Sequence, residues 1–111
     1  MQSWCLQKRL ENNPIALVPT MGFLHAGHVS LIRKARKAAG PTGIVIVTLY
    51  VNPTQFGQGE DFDAYPRDLK RDLAICRSEG VNAVFTPSHG SIYASPYSTY
   101  VNETLLSRQW E

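Results

Sequence analysis

The chain has 111 residues, 43% of them hydrophobic and 18% charged, with a formal net charge of +2. That is enough apolar side chain for one core in a single domain. The small basic excess falls well short of the clustered positive footprint of a nucleic-acid binder, so no nucleic-acid partner is expected.

In chain order, residues 3 to 11 read as a helix with Trp4, Leu6 and Leu10 on a partly apolar face, stopped by Asn12-Asn13-Pro14. Ile15 to Val18 is a short, unbroken apolar run, which suits a strand covered on both faces. From about Gly27 to Ala39 the period becomes helical. Val29, Ile32 and Ala35 form the apolar stripe, Arg33, Lys34, Arg36 and Lys37 the wet face, and Gly40-Pro41 the stop. Ile44 to Tyr50 is rich in β-branched residues without alternation and reads as a second buried strand. A polar loop, Asn52 to Glu60, leads to a helix expected from Pro66 to Ser78, with Leu69, Leu73 and Cys76 on one face. Gly80 caps it and Val81 to Thr86 is a third strand, followed by loops and a short strand at Thr99 to Val101.

The start, Met1-Gln2-Ser3-Trp4, leads into polar residues rather than an apolar leader, and no apolar run reaches membrane-spanning length. A cytoplasmic protein with no membrane partner is the expectation. Cys5 and Cys76 both fall in helical segments and suggest neither a disulfide framework nor a zinc site.

The order β-α-β-α-β, with amphipathic helices between non-alternating strands, specifies an α/β fold with a parallel sheet and helices on both faces. In such sheets ligands bind at the carboxyl ends of the strands. The loops there are Pro19-Thr20-Met21-Gly22 and Val51-Asn52-Pro53-Thr54-Gln55-Phe56, side by side if the first two strands are neighbours. The first loop leads into His25-Ala26-Gly27-His28 at the start of a helix. A helix N-terminus offers oriented N–H groups and partial positive charge to a phosphate. Gly22 and Gly27 allow close backbone approach, and two imidazoles three residues apart reach the same region as hydrogen-bond donors. Taken singly, each histidine reads as a cap or a surface residue, and a zinc reading finds no third ligand at suitable spacing. The combination of strand, Pro-Thr-Met-Gly, His-x-Gly-His and helix favours nucleotide binding. Asp61, Asp63, Asp68 and Asp72 raise the question of a metal, but the last two read as decoration on a solvated helix face, so no metal site is assigned. His89, in a Gly/Ser loop, is assigned no role.

His25-Ala26-Gly27-His28 after a strand resembles the signature of Rossmann-like nucleotidyltransferases, a superfamily with a three-layer α/β/α fold. Three stretches narrow the resemblance: Ala16 to Gly22 with Leu24 to His28, Tyr50 to Phe56, and Glu60 to Arg67. Together, in this order, they closely resemble the pantothenate synthetase (pantoate–β-alanine ligase) family over nearly the whole chain. The resemblance implies a two-step ligation. Pantoate is activated by Mg-ATP as pantoyl adenylate, then β-alanine displaces AMP to give pantothenate. It implies that Met21, Gly22, Phe23, Leu24, His25, Ala26, Gly27 and His28 contact ATP, with His28 catalytic. It implies too that Gln55, with Pro19, Thr20 and Asn52, serves pantoate and β-alanine, although Asn52-Pro53 is first of all a turn signal. Magnesium is expected to be carried by the ATP phosphates, and a homodimer is the implied assembly. Tyr65-Pro66-Arg67 is expected to start a helix, with little catalytic content.

The family's members are more than twice this length. The chain stops at Arg108-Gln109-Trp110-Glu111, about where the family continues into Arg-Pro-Gly-His and, further on, into segments carrying more cationic contacts. Residues 1 to 111 are therefore read as a single nucleotide-binding domain without the family's C-terminal domain, expected to bind ATP weakly and to turn over little alone. The alternatives are another His-x-Gly-His nucleotidyltransferase and a non-catalytic nucleotide-binding domain.

Overall fold

A computed structural model of the chain describes residues 1–106; the closing Arg108 to Glu111 segment lies outside the described residues. The elements are α1 (Gln2–Leu10), β1 (Ile15–Thr20), α2 (Ala26–Ala39), β2 (Ile44–Leu49), a 3-10 turn at Pro53–Gln55, α3 (Leu69–Ser78), β3 (Ala83–Phe85) and a helical turn, α4 (His89–Ile92). Among the described residues no helix is long and apolar enough to cross a membrane.

The strands form one parallel sheet in the order β1-β2-β3. Ile15 pairs with Ile44 and Thr20 with Leu49, while Ile46 pairs with Ala83. Residues paired in a parallel register share a face, so Ala16, Val18, Val45, Val47 and Val84 line one side. There they pack with Ile32, Ala35 and Ala39 of α2 and Ile75 and Cys76 of α3 as the core. Both crossover helices land on that side because right-handed crossovers that step in one direction cannot do otherwise. The central β2 buries four consecutive residues, Ile44 to Val47. β1 is an edge strand, so its expected cover on both faces is incomplete: Val18 is buried but Leu17 is 58% exposed. The same edge position accommodates Pro19 inside the strand, since an outward N–H is not needed there.

Three boundaries differ from expectation. The helix expected from Pro66 begins at Leu69, because Asp68 caps it by accepting from the Arg71 N–H at 3.0 Å. Arg67 instead donates to the carbonyls of Phe62, Asp63 and Tyr65 and holds the preceding turn. The third strand is confined to Ala83–Phe85, and no strand forms at Thr99 to Val101.

The basic run on α2 is only partly solvated. Lys34 and Lys37 are exposed as expected. Arg36, in contrast, donates to the Gly43 carbonyl at 2.7 Å, the Gly80 carbonyl at 2.9 Å and Asn82 Oδ1 at 2.5 Å. Asn82 Oδ1 also accepts from the Val45 N–H at 2.8 Å, so one guanidinium joins α2, the start of β2 and the turn into β3. Arg33 forms a two-pronged pair with Glu79, both contacts at 2.8 Å. Helical periodicity places these arginines on the wet face correctly but is blind to the loop carbonyls they reach.

Candidate nucleotide-binding site

The site lies at the carboxyl ends of β1 and β2. From β1 the chain turns through Gly22 and Phe23, with φ of 83° and 50°. Two left-handed residues in succession reverse the chain, and the second is not glycine. The turn is held from three directions. Gly22 N–H donates to Thr20 Oγ1 at 3.1 Å, and that hydroxyl donates to the Thr48 carbonyl at 2.7 Å. Phe23 and Leu24 N–H groups each donate to a separate oxygen of Asp72 at 2.8 Å. Arg71 Nη1 donates to the Leu24 carbonyl at 2.9 Å, and the Leu24 side chain is fully buried in the core.

Asp72 therefore does not decorate a solvated helix face: it is 3% exposed, and its position on α3 turns its carboxylate to the loop before α2. The only sequence signal was an acidic residue in the first turn of α3. Nothing in the side-chain periodicity reports main-chain donors nearly fifty residues away.

At the start of α2, His25 is the N-cap, with extended backbone. Its Nδ1 accepts from the Gly27 N–H at 3.1 Å, and His28 Nδ1 accepts from the His25 N–H at 3.2 Å. This is a capping box built from two imidazoles, a fold-back of the kind serine and glutamate usually make. The rings lie 4.0 Å apart, tilted by 39°. A β-carbon on residue 27 would sit 2.9 Å from His25 Cε1, so the glycine between the histidines is the space into which the first ring folds. Because each Nδ1 accepts, each neutral ring carries its proton on Nε2. Partial burial is the main cause lowering the His28 pKa from the ordinary 6.5; His25 adds to the effect and the Asp72 carboxylate opposes it. At neutral pH His28 is thus an uncharged, oriented Nε2–H donor.

Most of the main-chain N–H groups expected to form the phosphate cradle are already paired. The amides of Gly22, Phe23, Leu24, His25 and Gly27 are all engaged within the protein. Beside them, the two imidazoles carry Nε2–H groups at the positive end of a fourteen-residue helix. Leu24, expected among the ATP contacts, has its side chain in the core and both main-chain groups engaged. Phe23 is exposed, with the Arg71 guanidinium 5.6 Å from its ring centroid.

The second loop meets the first. A cleft of about 460 Å³ is lined by Pro19, Thr20, Met21 and His28 with Asn52 and Gln55, and by Thr48, Tyr50 and Tyr65. All the residues expected to serve pantoate and β-alanine thus converge beside the catalytic candidate. Tyr65, given little content from sequence, is on the wall. Asn52 Oδ1 accepts from Thr54 N–H at 3.2 Å, Thr54 Oγ1 at 2.9 Å and Tyr93 Oη at 2.9 Å, capping the 3-10 turn that carries Gln55. A second cavity of about 330 Å³ lies across Met21–Phe23, against α3, with Phe62 and His89 on its walls. There His89 Nδ1 meets Tyr50 Oη at 3.0 Å. Among the described residues no three His, Cys, Asp or Glu side chains converge as metal ligands.

Known proteins match this arrangement. The sequence model of the family described as pantoate-beta-alanine ligase matches residues 1–111. Pantothenate synthetase of Geotalea uraniireducens (strain Rf4) is 48% identical over 97% of this chain and 37% of its own length. That of Aquifex aeolicus (strain VF5) is 52% identical over 91% of this chain and 35% of its own. Among solved structures, pantothenate synthetase from Thermus thermophilus superposes with a TM-score of 0.79 at 42% identity, over 88% of this chain and 35% of that one. Pantoate-beta-alanine ligase from Francisella tularensis, complexed with beta-gamma ATP and beta-alanine, gives 0.76 at 41% identity, over 86% and 36%. The chain spans little more than a third of the relatives it matches. The family model spans the whole chain and the relatives nearly all of it, and the superposed structures share its fold: the chain belongs to the pantoate–β-alanine ligase family.

Proposed function

We propose that this chain is the nucleotide-binding part of an ATP-dependent ligase that joins pantoate to β-alanine. One carboxylate oxygen of pantoate bonds to the α-phosphorus of Mg-ATP while the bond to pyrophosphate breaks. The β-alanine amine then bonds to the acyl carbon of pantoyl adenylate, the acyl–oxygen bond to AMP breaks, and the amine gives up a proton. The first step calls for no protein nucleophile. It calls for alignment and for donors aimed at charge that grows on the phosphate.

The observation that carries the reading is the locked pair of Nε2–H donors opening beside a cleft that also holds Gln55. His28 lines that cleft, and its Nε2–H is aimed by its own Nδ1 contact, so no reorientation is required as charge develops. Gln55 offers a donor and an acceptor without charge, which suits a substrate bearing hydroxyls and a carboxylate. Asn52 works through Gln55 by capping its turn, its carbonyl being used internally. Asp61 and Asp68 accept main-chain N–H groups of Ala64 and Arg71, so the magnesium is assigned to the ATP phosphates. Pairing as a homodimer, a C-terminal domain completing the active site, and a cytoplasmic setting belong to the same proposal.

The test is calorimetric titration of Mg-ATP into the chain and into His28→Asn. Asparagine keeps an acceptor near the position of Nδ1 but has nothing at Nε2, so it separates the cap from the ligand contact. The expected result is weak binding by the chain, reduced about tenfold in the variant, with unchanged helicity. Equal binding by both would remove His28 from the site. Pantothenate formation by the chain alone at ordinary enzyme rates would overturn the assignment of essential groups to a missing part.

A further inference from the structure

Helix α3 lies behind the nucleotide site, yet two consecutive residues on it hold the turn that leads into α2. Asp72 accepts from the N–H groups of Phe23 and Leu24, one per oxygen, both at 2.8 Å. Arg71 donates to the Leu24 carbonyl at 2.9 Å and lies 5.6 Å from the Phe23 ring centroid. Two donors and an acceptor of consecutive peptides are thus held from one helix, immediately before His25. The turn they hold puts Gly22 and Phe23 both at positive φ, a sparsely populated region for the phenylalanine. Such a conformation persists only where its surroundings over-determine it. There is also little slack, since a β-carbon on Gly22 would lie 3.1 Å from Asp72 Oδ2.

The sign of the charge makes the arrangement informative. A carboxylate behind an anion-binding loop opposes a triphosphate by Coulomb repulsion, and burial weakens its screening. On electrostatic grounds alone the site is better without Asp72.

We propose that Asp72, with Arg71, is a positioning residue of the nucleotide site. It acts through the Phe23 and Leu24 peptides to fix where His25 begins α2, and hence where both Nε2–H groups point. The proposal rests on the ATP reading above and adds to it a role for α3.

The test is Mg-ATP titration into the chain, Asp72→Asn and Arg71→Lys, at a temperature where all three are folded. The amide proton resonances of Phe23 and Leu24 are recorded alongside. Asparagine removes the repulsive charge but can accept only one of the two amides, so the two accounts differ in sign. Positioning is expected to weaken binding about tenfold and to shift both amide protons upfield, whereas charge relief tightens binding. Lysine keeps the charge of Arg71 but loses its fixed planar fork, and is expected to weaken binding about threefold. Equal or tighter binding by Asp72→Asn overturns the proposal, as does unchanged binding by Arg71→Lys should Asp72→Asn not fold. A parent chain that takes up no Mg-ATP overturns the nucleotide reading, and this proposal with it. Binding by the parent with both variants unaffected overturns the positioning role alone.

Discussion

Replacing Gly27 by alanine separates what the histidine motif does for the helix from what it does for a ligand. Gly27 sits in the first turn of α2, where glycine to alanine ordinarily stabilises by about 1 kcal/mol through helix propensity. Here the added methyl would stand 2.9 Å from His25 Cε1 and 3.1 Å from His25 Nδ1. The first is closer than a carbon can settle and the second is tight, and the ring is the movable partner. Displacing it breaks the contact from the Gly27 N–H to Nδ1, and loss of an N-cap costs about 0.5–2 kcal/mol. The two effects nearly cancel, leaving stability within about 1 kcal/mol of the parent. Binding does not benefit from the cancellation, because His25 Nε2 moves with its ring. Loss of one oriented donor to a charged ligand corresponds to about 1.5–3 kcal/mol, or roughly tenfold or more in affinity. Chemical denaturation and Mg-ATP calorimetry on the same two proteins decide the matter. Should Gly27→Ala be stabilised by the full propensity gain and bind ATP as the parent does, the ring does not occupy the space above residue 27, and the imidazole capping box is wrong.

Two further outcomes follow from the same geometry. The His28 pKa lies below the ordinary 6.5, so the unfolded chain binds this proton more readily than the native one. That stability is fully present above pH 6.5 and is lost as pH falls from 6.5 through the lower native value. Denaturation midpoints between about pH 7.5 and 5 should fall for the parent and fall less for His28→Asn; parallel curves would place His28 in an ordinary environment. Leu24 is a fully buried peg between the turn and α2, and Leu24→Ala should cost about 2–5 kcal/mol in the same assay. A loss below about 1 kcal/mol would show that the loop is not anchored through the core.

What could be read from the sequence follows from what each signal measures. The β-branched run of β2 and the helical spacing of Val29, Ile32 and Ala35 report side chains meeting a core, and both elements formed where expected. The cleft residues were found because two loops at the ends of adjacent parallel strands must lie together. Signals of main-chain need were not legible. Asp72 and Arg36 sit where periodicity places solvated charge, yet they answer loop amides and carbonyls far away in sequence. The start of α3 was ambiguous for a related reason. Pro66 and Asp68 are both helix-start signals, and the choice fell to Asp68 once Arg67 was committed to the carbonyls of the preceding turn.

Histidine at position 25 is where the start of the helix and the proposed ligand contact meet. Serine, threonine, asparagine and aspartate are the strong N-caps, and each satisfies a main-chain N–H with a short side chain that ends there. An imidazole caps with one nitrogen and presents a second on the far side of a rigid ring. In His25 and His28 the capping contacts aim that second nitrogen, so the interactions that start the helix also orient the donors. Gly27 is small because the ring needs its space. The internal pairing of the surrounding amides then becomes intelligible. A loop whose own donors are satisfied does not need a ligand to become ordered, and a ligand arriving there meets two groups already set. On the nucleotide reading proposed above, the side chains of His25 and His28, held by the backbone, are the groups this loop offers a phosphate.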